Sequence, residues 1–219
     1  WSGTLIRVLG LEGTLGRSLY AGDLDVDIGE DVLFAIHGSV QRGRIEDAFV
    51  PFGLRAEDWG GARGEFRGVF DLTGPIDRLT GPVQIELGEL EVVGEQGEGG
   101  RISGRFDRGG IHVDTLEIEK QGAVISARGL IDPNTREVRA EARSMGLTLQ
   151  KIDAHKAGGL DIEAPLEVQL GLSGDLDVVT GTLTAAFGSG LASSLPLGTG
   201  RLTGRIRNAD MSVEGELLD

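Results

Sequence analysis

Apolar residues in this chain fall on alternate positions, and that period of two constrains the fold more than any other feature. Leu24, Val26 and Ile28 alternate with Asp23, Asp25 and Asp27, and Val32, Phe34 and Ile36 continue the parity. The rhythm returns in Phe66-x-x-x-Phe70-x-Leu72, in Val83-x-Ile85-x-Leu87 and in Leu166-x-Val168-x-Leu170-x-Leu172. Successive side chains of a β-strand point to opposite faces, so strict alternation describes strands with one apolar and one wet face. The wet positions are densely charged: Asp71, Glu86, Arg139, Glu141, Arg143, Arg205 and Arg207. Helical spacing is nearly missing. Only Gln150 to Gly158 admits a short helical turn, which Gly158-Gly159 would end. The sequence predicts an all-β protein with few or no helices.

Glycine punctuates the runs. It accounts for 37 of 219 residues, more than twice the usual ~7%, and it has no three-residue period, which rules out collagen. Gly38, Gly53, Gly74, Gly81, Gly129, Gly146, Gly174 and Gly181 each open or close an alternating run, where turns and bulges need them. Asp132-Pro133-Asn134 reads as a tight turn. In two places the parity slips: Val83, Ile85 and Leu87 are odd but Leu90 and Val92 even, and Ile111 and Val113 are odd but Leu116 and Ile118 even. A slip of this kind predicts a bulge or sharp bend that keeps the apolar side inward. The acidic run Gly94 to Gly100 would repel phosphate and reads as a flexible hairpin loop.

The chain repeats itself. Leu72-Thr-Gly-Pro-Ile-Asp-Arg-Leu-Thr-Gly-Pro-Val matches Leu172-Ser-Gly-Asp-Leu-Asp-Val-Val-Thr-Gly-Thr-Leu at a shift of 100, and Arg101-Ile-Ser-Gly-Arg-Phe matches Arg201-Leu-Thr-Gly-Arg-Ile at the same shift. Phe34-Ala-Ile-His-Gly38 matches Ile125-Ser-Ala-Arg-Gly129 at a shift of 91, and Gly53-Leu54 matches Gly146-Leu147 at 93. Two approximate units, 24–128 and 129–219, follow a divergent segment 1–23. Repeated strands with one-sided apolarity predict an elongated array. The chain begins at Trp1 and is expected to be a piece of a longer repetitive protein, with any anchor or targeting signal outside it.

Composition removes several function classes. Acidic residues outnumber basic ones 35 to 21, for a formal net charge of −14. That argues against a nucleic-acid binder and against electrostatic docking on anionic membranes. With 39% apolar and 26% charged residues the chain is not compositionally disordered. The absence of Cys excludes disulfides, thiolate catalysis and Cys-based zinc sites. Asp23-x-Asp25-x-Asp27-x-x-Glu30 resembles a calcium loop, but Ile28 and Phe34 occupy the places where such a loop needs Gly and Glu. A wet strand face is the simpler reading. His37, His112 and His155 are isolated, Ser193-Ser194 lacks a nucleophile-elbow frame, and Trp1, Trp59 and Tyr20 are too few for a stacking platform. No catalytic residue, metal site or cofactor is expected.

The apolar stripe itself is what remains. It reads either as the filled core of a structural or scaffold β-repeat, or as an aliphatic groove for acyl chains, which need a dry surface and little directional recognition. The groove reading selects Val83, Ile85, Leu87, Ile111, Val113, Leu116, Ile118, Leu166, Val168, Leu170 and Leu172. Under it, Val168→Glu should block lipid passage while the fragment still folds.

The segments Leu72-x-Gly-Pro-Ile-Asp-Arg-Leu-x-Gly-Pro-Val and Gly88-Glu-Leu90 resemble the repeated units of the TamB family, the translocation and assembly module subunits. Ile102 to Val113, followed by Val124 to Asp132, looks like that family's recurring hairpins, and AsmA-like proteins share the same grammar. The resemblance covers Phe66 to Leu218 best. It implies a β-taco, a long twisted sheet folded around a hydrophobic groove. It implies the periplasm of a Gram-negative bacterium, an inner-membrane anchor upstream and a TamA-like outer-membrane barrel as partner. It also implies phospholipid transport between the two membranes and support for outer-membrane protein assembly. A structural scaffold without lipid, adhesin-like or binding client strands through a sheet edge, is the alternative.

Overall fold

Alternation is realised as one antiparallel meander. The protein is described by a computed structural model over residues 4–48, 50, 55–59, 61–108, 110–132, 134–153, 162–175, 177–192, 195–208 and 210–218. Its strands are β1 (Thr4–Leu15), β2 (Ser18–Ile28), β3 (Val32–Arg44), β4 (Arg63–Gly74), β5 (Thr80–Val92), β6 (Glu95–Gly97), β7 (Gly99–Asp107), β8 (Gly110–Lys120), β9 (Ala123–Asp132), β10 (Glu137–Met145), β11 (Leu147–Thr148), β12 (Ile162–Glu163), β13 (Pro165–Asp175), β14 (Val178–Phe187), β15 (Gly190–Ala192), β16 (Leu195–Leu197), β17 (Thr199–Arg207) and β18 (Asp210–Leu218). The main sheet runs β1-β2-β3-β4-β5-β7-β8-β9-β10-β13-β14-β17-β18, with β6 paired to β5 and β11 to β13. β12, β15 and β16 form a small second sheet. The main sheet is open: β1 and β18 are its two edges and do not pair. Helices among the described residues include α1 (Ile45–Ala48) and 3-10 turns at Ala56–Trp59, Ile76–Arg78 and Leu149–Lys151. The expected helical turn near Gln150 is that last turn; residues 154–161 lie outside the described residues, as do Gly53-Leu54.

Local chemistry sets the hairpins. Val93-Gly94 and Gln121-Gly122 turn with both residues at positive φ (55° and 77°; 49° and 74°), the type I′ geometry whose twist matches that of the flanking strands. At the β9–β10 turn, Asp132 Oδ1 accepts the Asn134 N–H at 2.8 Å and the Thr135 N–H at 3.3 Å, as an Asx turn requires. The β1–β2 turn is held from α1, where Asp47 Oδ2 accepts the Arg17 N–H, the Ser18 N–H and the Ser18 hydroxyl. Ser18 is fully buried and its Oγ accepts the Arg44 N–H. The acidic run Gly94 to Gly100 is not a loose loop. Glu95–Gly97 returns along Leu90–Val92 as β6, and Gly99-Gly100 enters β7. The run is fixed because Lys120 and Asp153 bind it, partners far away in sequence.

The 100-residue shift is a repeat of pairing register. Phe70 pairs with Val83 as Leu170 pairs with Leu183. Val83 pairs with Gly104 as Leu183 does with Gly204, and Gly104 with Val113 as Gly204 with Val213. Strands β4-β5-β7-β8 thus recur as β13-β14-β17-β18. β4 and β13 lie six places apart along the sheet and run the same way. The 91-residue match differs: β3 and β9 lie five places apart and run in opposite directions, so it reflects shared strand grammar without translation. The parity slips appear as bulges, with register shifts between Val113 and Leu116 and, opposite Leu87 to Leu90, between Gly64 and Phe66.

Only a few apolar residues are deeply buried. Among the described residues the buried cluster is Ala123, Leu147, Leu166 and Ala185; it forms where β11 and the turn Leu149–Lys151 follow β10, with Leu149, Ile152, Val168 and Phe187 packed against it. The chain exposes 13861 Å², whereas a compact protein of this size exposes roughly 9,700 Å². The excess belongs to an unsandwiched sheet.

Candidate functional site: an aliphatic inner face

Register places every predicted groove residue on one side of the sheet. On β5, Val83, Ile85 and Leu87 share a face, and across β7 they meet Gly104, Ile102 and Gly100. Those three pair in turn with Val113, Leu116 and Ile118 of β8, with the bulge keeping both halves of β8 inward. Ile111 lies opposite Phe106 on the same side. The face continues through Ile131, Gly129, Ala127 and Ile125 of β9 and Val138, Ala140 and Ala142 of β10 to Leu172 and Leu170 of β13. Val168 and Leu166 extend it, opposite Ala185 and Phe187. In the other direction it runs through Phe70, Leu72 and Ile36 to Leu24 and Val8.

Accessibility separates these residues into two groups. Leu166 is 7% exposed and sits in the cluster beneath residues 147–152, with Val168 beside it. The other ten remain partly exposed. Inner positions of a β-sandwich are sealed by the facing sheet at about 10 Å; these are not. The face is a trough, partly accessible at most predicted groove positions and covered at others, since Leu72, Val138 and Val40 on the same side are also buried.

Single-residue reading left out the aromatic part of this face. Phe34, Phe66, Phe70, Phe106 and Phe187 all project inward, together with Ile102 and Leu183. Three of the rings lie over a cross-strand glycine: a Cβ on Gly38 would overlap the Phe70 ring, one on Gly43 the Phe66 ring, and one on Gly200 the Phe187 ring. Bulky side chains therefore lie flat across cross-strand glycines. The signal was present as parity, but choosing these residues needed the pairing partner.

The opposite face is a charge lattice. Arg67 Nε donates to Glu86 at 2.6 Å, Arg101 Nε to Glu117 at 2.7 Å, and Arg128 Nη2 to Glu141 at 2.6 Å. Register sets Arg67, Glu86, Arg101 and Glu117 in one row of alternating sign across β4, β5, β7 and β8. Exposed pairs contribute little stability individually; their effect is to keep this side wet. The calcium-like string lies here. Arg7 grips Asp25 with two bonds of 2.8 and 2.9 Å, and Asp23 accepts the Gly10 N–H. Arg7 holds the Asp25 carboxyl below its ordinary range. His37 Nδ1 lies 2.6 Å from Asp71 on the same face. His112 stands there opposite Arg105, while His155 and Ser193-Ser194 lie outside the described residues. Among the described residues no three His, Asp or Glu side chains converge on a point where an ion would sit, and no helix is long and apolar enough to cross a membrane.

Comparison with protein-family models, curated proteins and solved structures returns no match.

Proposed function

We propose that the inner face is a conduit surface for the acyl chains of phospholipid, in a periplasmic TamB- or AsmA-like bridge between two membranes. The observation that carries this reading is a continuous apolar face over thirteen strands that no second layer seals. Acyl chains gain roughly 0.8 kcal/mol per buried CH₂ without needing a directional contact, so a uniform face holds them while letting them slide. The charged outer lattice keeps the open sheet wet. In the whole protein, by resemblance, a TamA-like barrel receives the far end and an anchor outside this chain holds the near one, in support of outer-membrane protein assembly.

The test is native mass spectrometry of protein purified without detergent, combined with titration of a fluorescent fatty acid. Bound phospholipid and saturable fatty-acid binding are expected. Ile85→Glu and Val113→Glu place a charge on the accessible stretch and should weaken binding at least tenfold, about 1.4 kcal/mol. They are cleaner probes than Val168→Glu, since Val168 packs against the buried cluster. A wild-type protein that binds neither lipid nor probe sinks the conduit and leaves a structural repeat. A client-strand scaffold is the second reading: strand β1 exposes Leu5 at 59% and Leu9 at 67%, apolar side chains that another strand could cover. Crosslinking to unfolded barrel strands through β1 distinguishes it.

A further inference from the structure

Lys120 is the one cation on the inner face among the described residues. It lies opposite Ala123 at the end of β8, inside the apolar surroundings, and is 3% exposed. Its Nζ meets Asp153 Oδ2 at 2.6 Å, Glu95 Oε2 at 3.1 Å and the Gln96 carbonyl at 2.8 Å. Burial alone would pull its pKa down, but the bonds from Asp153 and Glu95 outweigh that and hold it above the ordinary lysine value. The ammonium therefore stays charged, with each of its three protons directed at an acceptor.

The groups it joins belong to two otherwise separate elements. Glu95 and Gln96 sit on β6, the short strand folded back from β5. Asp153 is the last described residue of the strap, residues 146–153, that follows β10. The two are stitched further: Asp153 Oδ2 accepts the Gln96 N–H at 3.0 Å, and Glu95 Oε2 accepts the Asp153 N–H at 2.9 Å. Upstream of that knot the strap turns Leu147, Leu149 and Ile152 onto Leu166, Val168, Ala185 and Phe187. Here the strap covers the trough. Among the described residues its other polar holds are two residues of β11 on β13, the Leu149 N–H to Ala164 O bond at 3.0 Å, and, within the strap, the Ile152 N–H to Leu149 O bond at 3.1 Å and a bond from Lys151 to Gly146 O.

We infer that residues 146–153 are a gate across the trough and that the Lys120–Glu95–Asp153 knot is its latch, so that acyl chains pass the β8–β14 stretch only when the knot opens. This rests on the conduit reading above. A buried charge pair suits a latch better than an apolar contact does. Either carboxylate leaving makes the state costly for the other two groups, so the knot is held as a unit or lost as a unit. The covered residues, Leu166 and Val168, have the parity and chemistry of the accessible ones, so opening would lengthen the accessible face.

The latch is testable on the protein as it stands. Lys120→Met removes the cation at similar volume and leaves two facing carboxylates. Amide exchange of residues 147–153 should rise by roughly a hundred- to a thousandfold, the range expected for breaking a buried ion pair, while β4 and β5 amides stay protected. The chain has no Cys, so a cysteine-linked bimane at Ala185 reports selectively on whether a brominated fatty acid reaches the covered stretch. Quenching should be weak in the labelled parent and strong with Lys120→Met. Ile152→Ser loosens the same strap from its apolar side, and it decides the matter if Lys120→Met fails to fold. Unchanged strap exchange in both variants overturns the latch. Faster exchange without quenching at Ala185, in a protein that still binds fatty acid elsewhere, overturns the gate and spares the conduit. No fatty-acid binding anywhere sinks the conduit itself, and the gate with it.

Discussion

At the scale of single residues, the inner face is levelled by pairing large against small. Phe70 covers Gly38, so any side chain at Gly38 must displace the ring. Gly38→Val should cost about 2 kcal/mol, within the range for overpacked sites, read as a fall in the urea midpoint at constant slope. The double variant Gly38→Val with Phe70→Leu should recover part of that loss, because the two changes share one contact. On the outer side, the depressed carboxyl of Asp25 binds fewer protons in the folded than in the unfolded chain. Its stabilisation is therefore complete above the unfolded carboxylate pKa of about 3.9 and fades as pH falls through the lower folded value. Asp132 and Asp175 are lowered too. The urea midpoint should drop steadily below about pH 4, and Asp25→Asn should flatten that acid limb by lowering the midpoint at neutral pH while leaving it unchanged in acid. These residue-level features were only half legible in the sequence. Alternation assigned each side chain to a face, but which glycine lies beneath which ring depends on a partner strand tens of residues away.

At the scale of elements, bulges carry the bend that alternation alone cannot. The sequence announces them as parity slips, and the structure places one where Asp114 and Thr115 sit between Val113 and Leu116. Deleting Thr115 should be tolerated, since Val113 and Leu116 then become regular same-face neighbours. Deleting Ser103 from the unbulged β7 should not, because it turns Phe106 toward solvent or forces Ile102 there. A difference of at least about 2 kcal/mol between the two deletions is expected, the scale of exposing one large apolar side chain, measured by chemical denaturation. The short elements were the illegible ones. β6 and the strap of residues 146–153 carry weak local patterns, and their conformations come from the Lys120 knot, three groups spread from position 95 to position 153. No window of sequence contains that arrangement.

At the scale of the whole molecule, the sequence told apart all-β from everything else but left open whether the apolar face is filled or bare. Both arrangements bury the same alternates, so no periodicity distinguishes them. An open sheet and a surface of 13861 Å² favour the bare arrangement. Solution scattering should accordingly give a radius of gyration above the roughly 17 Å of a compact domain of this length. The register repeat bears on how such a molecule changes size. β4 and β13 are in phase after an even number of strands, so recombination between the two copies inserts or removes 100 residues without turning any side chain to the wrong face. Each such event alters the span by six strand spacings, about 29 Å. The array is in this sense a ruler with fixed graduations: its reach is set by copy number, in steps, and the chemistry of its faces is indifferent to how many steps are taken.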